Sequence, residues 1–232
     1  MITIRKSQDR GHAEHGWLDS YHSFSFADFY DPKWMGFRSL RVINEDRVAA
    51  AQGFGSHPHR DMEIITYVVR GAVAHKDSTG SEGVVKRGDV QTMSAGAGVR
   101  HSEFNASQNE DLRLLQIWVM PQAEGIKPGY AQRHFPDSEK RNTLRLIAAP
   151  ANENGALPIQ QDVRLYASLL DAGKTVEHHL AKDRGAWVQI VDGAIDVNGV
   201  HMTSGDGAAI EDVETLQIKA QADSEFLLFD LV

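Results

Sequence analysis

Short apolar segments, rich in β-branched and aromatic residues, recur along this chain, and turn residues close most of them. Residues 64–69, 114–120, 187–191 and 226–231 are examples, and the glycines at 71, 83, 88, 193, 199 and 205 punctuate the pattern. Turn signals spaced roughly 8–12 residues apart point to a sandwich or barrel. No stretch carries a sustained helical period. Residues 165–170 read equally as one helical turn or a strand. Asn198-Gly199 separates Ile195-Asp-Val197 from Val200-His-Met202. That is a two-residue hairpin signal, because both central positions of a type I′ turn need positive φ.

The chain has 232 residues, enough for one large β domain or two domains of about 100–120 residues. Pro150, Asn152, Asn154, Gly155 and Pro158 cluster as the best connector. A short repeat supports two units. Tyr67-Val-Val-Arg-Gly71 precedes Arg87-Gly-Asp-Val90, and Gln189-Ile-Val-Asp-Gly193 precedes Ser204-Gly-Asp-Gly207. Each reads as strand, turn, hairpin, then a Gly-Asp turn into another strand. The expected division is residues 1–133 and residues 134–232.

Net charge is −8 and there are no cysteines. An acidic chain with no gathered basic stretch repels a phosphate backbone, so nucleic acid is not an expected partner. Thiolate catalysis and disulfides are excluded, and any metal site must use nitrogen and oxygen ligands. No run of about 18 apolar residues is present, and the first residues lack a secretory h-region. The expected location is the cytoplasm, with no membrane contact.

Two segments concentrate chemistry: Gly53-Phe-Gly-Ser-His57-Pro-His59-Arg-Asp-Met-Glu63 and Gly96-Ala-Gly98-Val-Arg-His101-Ser-Glu103-Phe-Asn105. Each carries potential ligands at i and i+2, which face the same way on a strand. Two such strands side by side converge His57, His59, His101 and Glu103 on one point inside a barrel. A buried carboxylate without a partner is costly, and a cation relieves that cost. Glu63 shares the strand parity of His57 and His59. It competes for the carboxylate role, with a rim charge or an outer hydrogen-bonding role as alternatives. Three histidines and a carboxylate leave open positions on an octahedral ion, which suits Fe(II), Mn(II) or Ni(II) better than a closed zinc site.

The other histidines carry weaker signals. His12, His15, His22 and His75 read as hydrogen-bonding residues. His178 and His179 are adjacent and cannot both chelate one ion. His134 and His201 show no partner in the sequence. Phe24, Phe26, Phe29, Tyr30 and Phe37 read as packing over a barrel mouth, with some lining a pocket.

His57-Pro-His59 with Glu63 and Gly71 resembles the first cupin motif, and Gly98-Val-Arg-His101 with Asn105 resembles the second. The fuller strings are similar to the pirin family, in particular its bacterial members with quercetinase activity. They are Arg10-Gly-His-Ala-Glu-His-Gly-Trp-Leu-Asp-Ser20, His22-Ser-Phe-Ser-Phe26, Met35-Gly-Phe37, Leu40-Arg-Val-Ile-Asn44, residues 53–63 and residues 94–103. The resemblance runs through about residue 125. It implies an all-β bicupin, two jelly-roll barrels packed together, with metal in the first alone. It favours Glu103 over Glu63 as the fourth ligand. Aligning Gly193 on Gly71 sets His179 at His57, Ala181 at His59 and Gly185 at Glu63. One ligand of four survives, so the second barrel is expected to be metal-free and to cover the first.

The resemblance also implies a reaction, the 2,4-dioxygenolytic opening of a flavonol such as quercetin with release of carbon monoxide. The partners would be a small aromatic substrate and dioxygen. One divalent transition metal would serve, with Fe(II) expected and Mn, Ni, Cu, Zn or Co as alternatives. Glu103 is the candidate base for the flavonol 3-hydroxyl. The alternative is a non-catalytic, metal- and redox-sensing pirin that acts by binding a protein partner.

Overall fold

A computed structural model describes residues 1–150 and 153–232; Asn152 of the expected connector lies outside the described residues. The chain is built almost wholly of strands. In the first half they are β1 (Ile2–Arg5), β2 (Gly11–Glu14), β3 (Leu18–His22), β4 (Leu40–Val48), β5 (Gly53–His59) and β6 (Glu63–Arg70). There follow β7 (Ala72–Asp77), β8 (Glu82–Lys86), β9 (Asp89–Ser94), β10 (Val99–Asn105), β11 (Leu112–Val119) and β12 (Gly129–His134). The second half holds β13 (Arg145–Ala149), β14 (Leu157–Pro158), β15 (Val163–Leu170), β16 (Thr175–His179) and β17 (Gly185–Asp192). It ends with β18 (Ala194–Val197), β19 (Val200–Thr203), β20 (Gly207–Ile210), β21 (Thr215–Ala220) and β22 (Ser224–Leu231). Among the described residues the one α-helix is a single turn, Asp137–Lys140. Residues 165–170 belong to strand β15.

Two compact units result. One comprises Gly11–His134 and Leu157–Gln161; the other comprises Met1–Arg10, Phe135–Ala156 and Asp162–Val232. The expected division at 133/134 differs from these units in two segments. The first ten residues join the C-terminal unit because β1 pairs antiparallel with β20, Ile2 opposite Ile210 and Arg5 opposite Gly207. Residues 157–161 join the N-terminal unit, where the Gln160 amide donates to Glu63 and the Gln161 side chain donates to the Met120 carbonyl.

Each unit is a barrel with two antiparallel walls. In the N-terminal unit the walls run β12-β9-β6-β11-β4-β3-β2 and β5-β10-β7-β8. Val48 and Val68 of one wall pack against Val73 and Val85 of the other. In the C-terminal unit the larger wall contains the run β1-β20-β17-β22-β15-β13, and the smaller runs β16-β21-β18-β19. Its interior is aliphatic and aromatic, with Val188, Ile195, Ile218 and Phe226 fully buried. The Asn198-Gly199 hairpin joins β18 to β19, and both residues have positive φ, 47° and 81°.

The two units share one pairing scheme, so residues correspond strand by strand. Asn105 lies opposite Val73 as Ala220 lies opposite Ile195, each two residues beyond the turn glycine. Glu103 therefore corresponds to Ile218, and His101 to Leu216. His57, opposite His101, corresponds to His178, opposite Leu216. Simple alignment on the turn glycines places His179 there instead. Glu63, the first residue of β6, lies six positions after His57, whereas Gly185, the first residue of β17, lies seven after His178, which shifts the match by one. His59 then corresponds to Leu180, so three of the four donor positions hold aliphatic side chains in the second barrel.

Candidate metal centre and adjoining pocket

β5 is the edge strand of its sheet. An edge tolerates Pro58, which has no N–H to give a ladder. The pairing of β5 with β10 sets His57 opposite His101 and His59 opposite Val99. It then shifts, so that Glu103 faces Phe54 and β5 carries an extra residue. This bulge brings the Gly55 carbonyl within 2.8 Å of His57 Nδ1. With Nδ1–H donating to that carbonyl, Nε2 is left with its lone pair toward the barrel. Gly53 is required by close approach: a Cβ there would stand 2.3 Å from the Glu103 carbonyl oxygen.

Three imidazoles converge. The ring centroids lie 4.4 Å apart for His57 and His101, 4.9 Å for His57 and His59, and 4.8 Å for His59 and His101. One ligand atom from each falls within 4.8 Å of the others. Glu103 Oε2 lies 3.9 Å from His101 Nε2. His101 is buried, and neither of its ring nitrogens has a hydrogen-bond partner. Such a side chain is a lone-pair donor awaiting an acceptor, since an unsatisfied buried polar atom costs about 1–3 kcal/mol. These residues fit a divalent metal in their donor chemistry and in this orphaned nitrogen.

Burial holds His101 down to about 3 and His59 down to about 4, with neighbouring imidazoles adding to the effect. Both rings are neutral and metal-competent at physiological pH. Burial pushes the Glu103 carboxyl up to about 7, opposed by the Gln116 amide and reinforced by Asp46. Gln116 Nε2 donates to both Glu103 oxygens at 3.1 and 3.0 Å, while its own carbonyl accepts from Thr66 Oγ1.

Glu63 stands apart from this cluster. It is buried rather than at a rim; Oε2 accepts from Ser94 Oγ at 2.7 Å and from the Gln160 amide at 3.0 Å. His75 is buried beside His101, with ring centroids 5.2 Å apart, and can form a group with His101 and Glu103. Its own nitrogens are engaged by Asp77 and Gln91. A third cluster, His12, Glu14 and Asp19, is largely exposed. His134 and His201 bond Asp89 and Asp196, and His178 bonds Asp230.

A cavity of about 390 Å³ opens beside the donors, within the range of small-molecule sites. Trp17, Phe26, Phe54 and Trp118 wall it, and His57, His59 and Glu103 reach its surface. Of the early aromatics, Phe26 lines the pocket, Phe24 is buried in the core and Tyr30 is exposed. Sequence reasoning missed Ser20, Asn44, Asp46, Gln116 and Trp118. Their signal is strand parity: Asn44 and Asp46 are i, i+2 on β4, and Gln116 and Trp118 are i, i+2 on β11.

Comparison with known proteins agrees with this architecture. The family model "Pirin" matches residues 3–119, and "Quercetinase C-terminal cupin domain" matches residues 146–231. The chain is 50% identical to quercetin 2,3-dioxygenase of Escherichia coli K12, covering 100% of this chain and 99% of that protein. It is 42% identical to a pirin-like protein of Caulobacter vibrioides, over 99% of each. The crystal structure of the bacterial pirin YhhW from E. coli in complex with nickel(II) superposes with a TM-score of 0.95 at 49% identity. It covers 100% of this chain and 99% of that one. The chain belongs to the pirin family and is a bicupin of two β-barrel domains.

Proposed function

We propose that this chain is a metal-dependent dioxygenase that opens flavonols such as quercetin, releasing carbon monoxide. In this reading His57, His59, His101 and Glu103 hold one divalent transition metal. Fe(II) is the expected ion; nickel(II), the ion of the YhhW complex, and Mn, Cu, Zn or Co are alternatives. The observation that carries the reading is His101, a buried imidazole without a partner on either nitrogen, set among two further imidazoles and a carboxylate at the wall of an aromatic pocket. The 50% identity to a quercetin 2,3-dioxygenase supports the substrate class.

Bound by these residues, the metal would supply Lewis-acid and redox chemistry to a substrate beside it. The chain's own residues do the rest. Trp17, Phe54 and Trp118 bind the flat rings and exclude water. Glu103 takes the proton of the flavonol 3-hydroxyl, and Gln116 holds its carboxylate in place. His57 keeps its tautomer through Gly55. In the overall balance one flavonol and one dioxygen enter. Both oxygen atoms end in the ring-opened ester, and the carbon between the two cleaved positions leaves as carbon monoxide.

The test is metal content of the wild type and of His59→Ala, followed by quercetin loss, oxygen uptake and carbon monoxide release. Near-stoichiometric metal and oxygen-dependent turnover, both lost in the variant, are expected. Glu103→Gln should keep much of the metal and lose turnover; persistent turnover removes the base role from Glu103. Metal without turnover on any flavonol would move the assignment to the regulatory, protein-binding reading.

A further inference from the structure

The wall of the pocket formed by β3 and β4 carries a polar group that the metal site does not use. Asp46 is 5% exposed, and its carboxylate accepts from Ser20 Oγ. Ser20 spends its single proton on Asp46, so it accepts in turn from His22 Nε2–H, at 2.9 Å. Among the described residues no lysine or arginine pairs with Asp46. Two residues away on the same face, Asn44 is 4% exposed, and its Oδ1 has no partner. All four side chains line the cavity.

A structural role accounts poorly for this group. A buried carboxylate held by one hydroxyl costs stability, because burial is repaid only by a cation or several hydrogen bonds. The corresponding positions of the second barrel, which lacks such a pocket-side cluster, make the point. By strand pairing Asp46, opposite Leu114, corresponds to Ser168, opposite Phe226, and Asn44 to Tyr166. The same framework is thus built without a carboxylate there.

The lining also defines the ligand. Among the described residues no lysine or arginine lines the cavity, while Asp46 and Glu103 do. On the β3–β4 wall, away from the metal donors, a carboxylate or phosphate of the ligand would meet the Asp46 carboxylate and no lysine or arginine. Aromatic walls suit a flat ring, and a buried acceptor demands a donor on it. We propose that Asp46, held by Ser20, orients the substrate by accepting a hydrogen bond from a ring hydroxyl, and so selects hydroxylated aromatic ligands over their unhydroxylated parents. A site built around a buried acceptor discriminates strongly against an analogue that lacks the donor, since the acceptor is then left unpaired.

This inference rests on the flavonol reading for its ligand class but not for its chemistry, and an equilibrium measurement separates the two. Quercetin and unsubstituted flavone are titrated without oxygen into the purified full-length protein, and binding is followed by quenching of the pocket tryptophans. The wild type should prefer quercetin at least tenfold. Asp46→Asn should weaken quercetin binding about tenfold or more, leave any flavone binding unchanged and keep the thermal midpoint within a few degrees. Ser20→Ala, which frees the carboxylate to rotate, should weaken quercetin binding less, in the same direction. Quercetin binding unchanged in Asp46→Asn, equal weakening of both ligands, or no quercetin binding by the wild type would each overturn the proposal. Quercetin binding that depends on Asp46 without any turnover in the assay above would overturn the dioxygenase reading and leave this one standing.

Discussion

Thr66, Gln116 and Glu103 form a chain in which each group orients the next: hydroxyl to amide carbonyl, amide nitrogen to carboxylate. Outer hydrogen bonds of this kind fix ligand geometry and are worth about 10–100-fold in metal affinity. Gln116→Leu keeps the volume and removes both bonds. Metal affinity should fall by that factor in a competition titration against a buffered chelator; unchanged affinity would show that Gln116 does not hold the ligand. A second residue-scale prediction concerns stability. Burial alone would raise Asp206, but the Lys6 ammonium and the Thr203 and Ser7 amides outweigh it and hold its carboxyl below the ordinary range. A carboxylate depressed in the folded state contributes stability above its unfolded pKa of about 3.9 and loses it as pH falls through the folded value. Asp206→Asn should therefore cost about 2 kcal/mol at pH 7. The difference from wild type in urea midpoint should hold down to about pH 5 and shrink below pH 4. A difference that grew on acidification would reverse the sign assigned to this group.

At the scale of elements, the i, i+2 parity of His57 and His59, and of His101 and Glu103, was legible because a strand alternates its side chains whatever it packs against. Which strands lie side by side was not. The bulge in β5 is a property of the pair β5–β10, and it decides where the His57 ring points. Gly53 is the sensitive point of that pair. Gly53→Ala would drive a methyl group into the β10 backbone at Glu103 and Phe104, and backbone cannot yield as a side-chain tip can. The variant should purify with at most half the metal of wild type and show faster amide exchange in β10. Full metal content would mean that the strands tolerate separation at this end. The same dependence on pairing explains the shifted match between His57 and His178: a one-residue difference in spacing is invisible to a motif and decisive for a register.

Across the whole molecule, the repeat visible at Gly71 and Gly193 marks two barrels of one pairing scheme with interiors of opposite character. One is lined with imidazoles, carboxylates and amides; the other is filled with Val188, Ile195, Ile218 and Phe226. A filled apolar interior leaves the second barrel the less able to host a ligand. Its edge is completed from the far end of the chain, since β1 pairs with β20. Deleting residues 2–10 removes that strand together with the Lys6–Asp206 contact. Hydrogen exchange should then quicken in Gly207–Ile210 and leave β6 and β11 protected; protection unchanged in β20 would show that β1 adds nothing to its unit. By itself the sequence determined the all-β class, the two-unit plan, the hairpin at Asn198-Gly199 and the i, i+2 pairs of candidate donors. Each of these follows from local rules, from side-chain alternation, from turn chemistry and from the coordination chemistry of nitrogen and oxygen. Only the tertiary structure decided that residues 1–10 belong with the second barrel and that Glu63 turns to Ser94 and Gln160. It alone set Ser20, Asn44, Asp46 and Gln116 around one cavity. Those outcomes depend on contacts between residues far apart in the chain, whose free energy no local pattern encodes.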